Sequence, residues 1–170
     1  HKELLKWCAE HKVPLLSGTT GLGASHRRIQ RLLAKKVPIL WASNMSLGVT
    51  VVKQMLKNFG ALKGFKFSIQ ETHHIHKKDR PSGTAITLYE ELRHHVDKKK
   101  LSGIRSFRRG KVFGDHKIIA TSSSELISLE HQALSRKVFA EGALTAAKWL
   151  VKRRPGLYKI EDVLKLSVRK

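Results

Sequence analysis

The 170 residues predict an α/β fold in which a parallel βαβ unit precedes a mixed-sheet region. Three observations carry that prediction. Two short apolar runs, Val13-Pro14-Leu15-Leu16-Ser17 and Val37-Pro38-Ile39-Leu40-Trp41, flank a helical pattern. Further on, Phe65, Phe67 and Ile69 alternate with Lys66, Ser68 and Gln70, the mark of a strand with one wet face. A long amphipathic pattern, Ser135 to Lys152, closes the chain with Val138, Ala143, Ala146, Trp149 and Leu150 on one face.

In chain order, Glu3 to His11 reads as a helix that leads into the first buried strand and the turn Gly18-Thr19-Thr20-Gly21. Ser25 is placed to cap a helix from His26 to Lys36, with Ile29, Leu32 and Leu33 sharing a face. Strand, helix and strand at this spacing imply two parallel strands joined by a right-handed crossover, although Pro14 and Pro38 count against central strand positions. After Ala42-Ser43-Asn44-Met45, the segment Ser46 to Asn58 carries apolar residues at Leu47, Val51, Met55 and, just beyond it, Phe59, the helical spacing of a buried face. Glu71 to Pro81 is polar and His-rich, and Pro81 with Ser82-Gly83-Thr84 opens a helix through Leu88 and Leu92. Lys98 to Gly114 reads as a basic, glycine-punctuated loop. Lys117 to Thr121 and Leu126 to Ala133 read as strands about a serine-rich turn, and Pro155-Gly156 stops the last helix.

Composition narrows the function classes. Hydrophobic residues make up 41%, and no apolar run approaches the roughly 20 residues needed to cross a bilayer. Cys8 is the single cysteine, which excludes an internal disulfide framework and a multi-cysteine zinc site and fits a reducing compartment. A cytoplasmic location, or a plastid or other organelle matrix in a eukaryote, is the expectation. With His1 in place of an initiator Met, the residues are expected to belong to a longer or processed chain. The 34 Lys and Arg against 13 Asp and Glu leave a formal charge of +21, a balance that promotes binding to polyanions and says little about fold.

Chemistry concentrates in two places. In open α/β sheets, ligands bind beyond the carboxyl ends of parallel strands, and the turns at Gly18-Thr19-Thr20 and Ala42-Ser43-Asn44-Met45 occupy that edge. They are suited to the nicotinamide half of a dinucleotide, or are simply two βα turns. The denser signal is Glu71 to Ala85, read as ETHHIHKKDRPSGTA. Imidazole exchanges protons near neutral pH, and a neighbouring lysine favours an anionic or imine substrate while opposing a second positive charge on the ring. Ser82, Gly83 and Thr84 at a helix start offer amides and hydroxyls to a carboxylate. Blander readings stand beside these: a solvated loop, or an N-cap and nothing more. His73, His74 and His76 without acidic or cysteine partners make a poor metal set, and no metal is expected.

Taken in order, Ser17-Gly18-Thr19-Thr20-Gly21, Ala42 to Val49, Glu71 to Ala85, Arg109-Gly110, Gly114-Asp115-His116, Leu129-Glu130-His131, Ser135-Arg136, Phe139-Ala140, Gly142-Ala143 and Trp149-Leu150 resemble the 4-hydroxy-tetrahydrodipicolinate reductase (dihydrodipicolinate reductase) family over nearly the whole chain. The resemblance implies the C-terminal part of a Rossmann-like dinucleotide-binding domain at 1–46, a mixed-sheet α+β substrate and oligomerisation domain at 47–135, and a C-terminal helix at 136–170 returning to the first. It implies reduction of a small cyclic dicarboxylic imine with NADPH or NADH, in the diaminopimelate route to lysine. By motif, His73 is the acid/base residue, Lys77 the proton donor, and His74 a substrate contact, with Ser82, Gly83 and Thr84 around a substrate carboxylate. Gly18, Thr19, Thr20, Ala42, Ser43, Asn44 and Met45 would contact the nicotinamide half of the cofactor. A homotetramer is implied as well. No glycine-rich turn of the pyrophosphate-gripping kind opens a first βαβ unit, so an isolated chain of this length is expected to bind cofactor poorly.

The basic surplus suggests a competing reading. Arg27, Arg28, Arg31, Lys35 and Lys36 crowd one helix, Lys98 to Lys100 with Arg105, Arg108, Arg109 and Lys111 crowd a loop, and Lys152 to Arg154 end another helix. Such runs are ordinarily solvated faces. The alternative is a retired reductase serving as a basic, RNA-binding subunit of a ribonucleoprotein, held by phosphate contacts, since aromatic residues are only 6% and no stacking motif is present.

Overall fold

A computed structural model describes residues 2–164 of the chain. The element order is α1 (Lys2–Glu10), β1 (Leu15–Ser17), α2 (Ala24–Leu33), β2 (Pro38–Trp41), α3 (Leu47–Met55), β3 (Lys66–His73), α4 (Gly83–Arg93), β4 (Leu101–Arg108), β5 (Asp115–Thr121), β6 (Leu126–Gln132), α5 (Lys137–Leu150), β7 (Gly156–Tyr158) and α6 (Ile160–Leu164). Two compact units result: residues up to Leu47 with those from Phe139 onward, and Gly48–Val138. The part of the 136–170 expectation beyond residue 164, and His1, lie outside the described residues.

In the first unit β1, β2 and β7 form a parallel sheet in that order. Side chains alternate across a strand, so the two apolar runs feed two cores. Leu15 and Ile39 pack with Leu5, Cys8 and Ala9 of α1 and with Ala34 and Val37. Leu16 and Leu40 pack instead with Ala146 and Leu150 of α5 and with Ile160 and Val163 of α6. Pro38 is accommodated because it is the first residue of β2, and Pro14 because it precedes β1. The strand β7 and helix α6 were not expected beyond Pro155-Gly156; Leu157 pairs with Ile39 and extends the sheet. The predicted Ser25 cap is not found. Gly23 holds the N-cap position without a side-chain bond, and Ser25 lies inside the first turn of α2.

The second unit is a four-stranded mixed sheet in the order β4-β3-β5-β6, with β3 parallel to β4 and antiparallel to β5. Phe67 and Ile69 of β3 and Ile118 and Ala120 of β5 meet Val52 of α3, Leu56 and Phe59 of the following 3-10 turn, and Leu88 and Leu92 of α4. The β5–β6 turn closes as its serines suggested: Ser122 Oγ accepts from the amides of Ser124 and Glu125 at 3.2 and 3.1 Å.

Two expectations need correcting here. Lys98 to Gly114 is not a loop throughout, because Leu101–Arg108 forms the edge strand β4. Its register against β3 jumps from Phe67↔Leu101 to Ile69↔Ile104, so an extra residue around Ser102 and Gly103 breaks the period of two that would have revealed it. The expected face of α3 also differs: Val49, Thr50 and Val52 are buried, whereas Val51 and Met55 are exposed. Glu71, Thr72 and His73, which open the polar His-rich segment, continue β3, and every second residue of that strand is buried, from Phe67 through Ile69 to Glu71 and His73. Polar residues there continue the inward face of the sheet.

Candidate active site

That inward face ends in ionisable groups. Glu71 pairs across the sheet with His116, and the next pair on the same face, Ile69 with Ile118, is still apolar core. Glu71 is 0% exposed, His116 4% and His73 7%. The His73 and His116 rings meet edge to face with centroids 5.3 Å apart. Gly114 packs tightly against this pair: a Cβ there would stand 3.0 Å from His73 Nε2 and oblige the ring to shift slightly.

Charge on Glu71 is opposed by burial, but hydrogen bonds from Ser106, His73 and Arg108 outweigh it and hold the carboxyl below its usual range. Its Oε2 accepts from His73 Nδ1 and its Oε1 from Arg108 Nη1 at 3.0 Å. Burial pushes His73 below the ordinary imidazole range despite Glu71, with Lys77 and Arg108 adding to the depression. His116 is lowered to about 4, first by burial and then by His73. Both rings are therefore neutral at neutral pH.

Arg108 connects this cluster to the Lys77 loop. Its Nε donates to the Lys77 carbonyl at 3.1 Å and its Nη2 to the Asp79 carbonyl. Lys77 Nζ in turn stands 2.7 Å from Asp79 Oδ1, and this contact draws the Asp79 carboxyl below its normal range. His74 is half-buried, and its Nδ1 has no hydrogen-bond partner.

The α4 start joins from the other side. Ser82 is its N-cap, accepting from the Ala85 amide at 3.2 Å, and its Oγ lies 3.2 Å from His116 Nε2. Gly83 opens the helix with clear space above it: a Cβ built there meets nothing within 4 Å. His73, His116, Ser82 and Gly83 are thus linked by successive contacts, with Lys77 tied in through Arg108. Sequence reasoning passed over Glu71 as a buried partner and treated Arg108 as one cation in a solvated run. The signal for Glu71 was the alternation Phe67, Ile69, Glu71, His73; nothing local marked Arg108.

In the first unit, the two βα turns lie side by side at the carboxyl ends of β1 and β2. Ala42 donates its amide to the Ser17 carbonyl at 3.1 Å, and Trp41 Nε1 donates to the Thr19 carbonyl at 2.7 Å. Ser17 Oγ donates to Thr19 Oγ1 at 3.2 Å and accepts weakly from the Thr19 amide at 3.4 Å. Asn44 Oδ1 accepts from the Ser46 amide at 2.8 Å. A Cβ on Gly18 would make only ordinary van der Waals contact with Met45 Cε, at 3.7 Å, which shows how near the two turns lie. Thr20 and Ser43 are exposed at the same edge.

Comparison with known proteins decides the family. Residues 1–45 match the model for the dihydrodipicolinate reductase N-terminus, and 48–164 match that for its C-terminus. The chain belongs to the dihydrodipicolinate reductase family. A 4-hydroxy-tetrahydrodipicolinate reductase of Bdellovibrio bacteriovorus is 53% identical over 163 residues, 96% of this chain and 71% of that protein. One from Nitratiruptor sp. is 39% identical over 184 residues, covering 97% and 72% respectively. A dipicolinate-bound dihydrodipicolinate reductase from Paenisporosarcina sp. TG-14 shares the fold with a TM-score of 0.79, at 22% identity over 95% of this chain and 68% of that one. The family is one of oxidoreductases, and its N-terminal region is a dinucleotide-binding fold. Nothing in the fold or the relatives favours the RNA-binding alternative.

Proposed function

We propose that the chain reduces 4-hydroxy-tetrahydrodipicolinate to tetrahydrodipicolinate, with NADPH or NADH as reductant, in lysine and diaminopimelate biosynthesis. The observation that carries this reading is the joining of a neutral, buried His73, the Lys77 loop and the open α4 start in one cluster of the second unit. The reaction replaces a ring hydroxyl by hydrogen. Hydride enters, and the departing hydroxyl needs a proton to leave as water. A bound reduced nicotinamide supplies the hydride, and Gly18, Thr19, Thr20, Ala42, Ser43, Asn44 and Met45 are the residues that would hold it.

The remaining tasks fall to this chain's own side chains. Lys77 donates a proton from its ammonium group and balances the doubly negative ring. His73 exchanges a proton at Nε2, the nitrogen not engaged with Glu71. His74, next to it in sequence and half-buried with an unpartnered Nδ1, would contact the substrate. The amides of Gly83 and Thr84, at the positive end of the α4 dipole and fixed by the Ser82 cap, receive a carboxylate. Assembly as a homotetramer belongs to the same reading.

Two measurements test the proposal. Dipicolinate, a planar dicarboxylate, should bind the chain in a calorimeter and bind much more weakly to Lys77→Met. With freshly generated substrate, oxidation of NADPH or NADH should fall by about 10² to 10⁴ in His73→Gln and in Lys77→Met. A folded protein that neither binds dipicolinate nor turns over would remove the reading.

A further inference from the structure

We propose that Glu71 is a positioning residue which, together with Arg108, fixes His73 with its proton on Nδ1 and ties the Lys77 loop to the same carboxylate, leaving His73 Nε2 as the proton-exchanging atom. This deepens the reductase reading and rests on it for the roles of His73 and Lys77.

An ionised carboxylate only accepts, so the nitrogen facing Glu71 Oε2 must carry hydrogen, and that nitrogen is His73 Nδ1. In a neutral ring the lone pair then sits on Nε2, which points toward Gly114, where no side chain intrudes. Ionisation of Glu71 is secured by Arg108, whose side chain is 4% exposed and whose Nη1 holds Oε1 at 3.0 Å.

Keeping a charge pair in this position has a cost. Two rungs earlier the same face carries Ile69, and burying an ion pair is commonly no better for stability than filling the site with apolar residues. The pair accomplishes something an apolar residue cannot: it selects a tautomer. Arg108 has a second task. Its planar fork reaches Glu71 and the backbone carbonyls of Lys77 and Asp79 together, so the backbone of the Lys77 loop and the imidazole of His73 are both tied to one buried carboxylate, while the Lys77 ammonium pairs with Asp79. Lysine has no such fork.

Nitrogen-15 correlation spectra of the imidazole rings read the tautomer directly. In the unmodified chain at neutral pH, His73 should be the Nδ1–H form. Glu71→Gln should admit the Nε2–H form and lower kcat by about 10-fold to 100-fold or more, with KM little changed. Arg108→Lys should keep the Nδ1–H form yet weaken dipicolinate binding about tenfold, because the Lys77 loop loses its anchor. An Nε2–H form in the unmodified chain overturns the proposal even if Glu71→Gln does not fold. So does Glu71→Gln retaining both tautomer and turnover, or Arg108→Lys binding dipicolinate as before. If the unmodified chain fails to bind dipicolinate, the reductase reading falls, while the His73 spectrum still decides the tautomer assignment.

Discussion

Gly142 of α5 approaches Met45 so closely that a Cβ on it would lie 1.9 Å from the Met45 carbonyl oxygen and 2.9 Å from its carbonyl carbon. Backbone cannot swing aside as a long side chain can. Gly142→Ala must push α5 off the turn that closes the β2 edge, disturbing the Leu40, Ala146 and Leu150 core with it. Helix propensity alone would favour alanine by up to about 1 kcal/mol, so the sign of the effect discriminates. We expect a net loss of about 2–3 kcal/mol in denaturant unfolding, toward the upper end for overpacked sites because the clash is with backbone. A stabilised variant would contradict the packing described.

A subtler glycine test concerns the reacting end of His73. At Gly114 the added methyl would stand 3.0 Å from Nε2 and 3.4 Å from Cδ2, and Glu71 anchors the ring on its opposite edge. Gly114→Ala should therefore cost little global stability but reduce turnover about tenfold or more, since displacement of a positioned group by even an ångström is expensive. Unfolding curves and steady-state rates on the same preparation separate the two quantities. Equal activity would show that Nε2 is not the working atom.

The contrast between β3 and β4 shows how far the sequence could be read. Parallel strands buried on both faces are continuous apolar runs, so β1 and β2 were legible despite their prolines. The motif around His73 was legible as chemistry, but its structural setting was not. Glu71 and His73 sit where Val or Ile would finish a strand, and their polarity disguised the last three residues of β3. At β4 the bulge removed the alternation altogether, and Arg108 looked like one more surface cation among the 34 basic residues. Only tertiary structure distinguishes it, by placing its guanidinium against a carboxylate that lies 37 residues earlier in the chain.

Ser82 joins a helix cap to a buried histidine. Its Oγ accepts from the Ala85 amide and contacts His116 Nε2, both at 3.2 Å, while His116 Nδ1 has no hydrogen-bond partner. Loss of an N-cap hydroxyl costs about 1 kcal/mol. Stranding the second ring nitrogen adds a desolvation penalty of about 1 kcal/mol or more. Ser82→Ala should thus destabilise by about 2 kcal/mol in chemical denaturation, whereas Ser82→Thr, which keeps the hydroxyl, should recover much of it. A loss below about half a kcal/mol for Ser82→Ala would mean that neither contact persists in solution, since substitutions away from such features fall within that range.

Acid should weaken the fold through His116 before it titrates most carboxylates. Its pKa falls from an ordinary 6.5 to about 4 in the native state, chiefly because burial disfavours the imidazolium. Between those values the unfolded chain binds the proton and the folded chain does not, so stability is complete above about pH 6.5 and drains away as pH drops toward 4. The shift corresponds to about 3 kcal/mol at most. His73 and His131, also lowered by burial, act in the same direction. Asp115 opposes them, because burial and then Glu130 raise its carboxyl. Glu71 and Asp79, held low by their partners, contribute only at more acid pH. Unfolding free energy measured across this window should decline steeply for the unmodified chain and less steeply for His116→Gln, which removes the titrating ring while retaining a donor for Ser82. Parallel slopes in the two proteins would show that His116 is not the group being protonated.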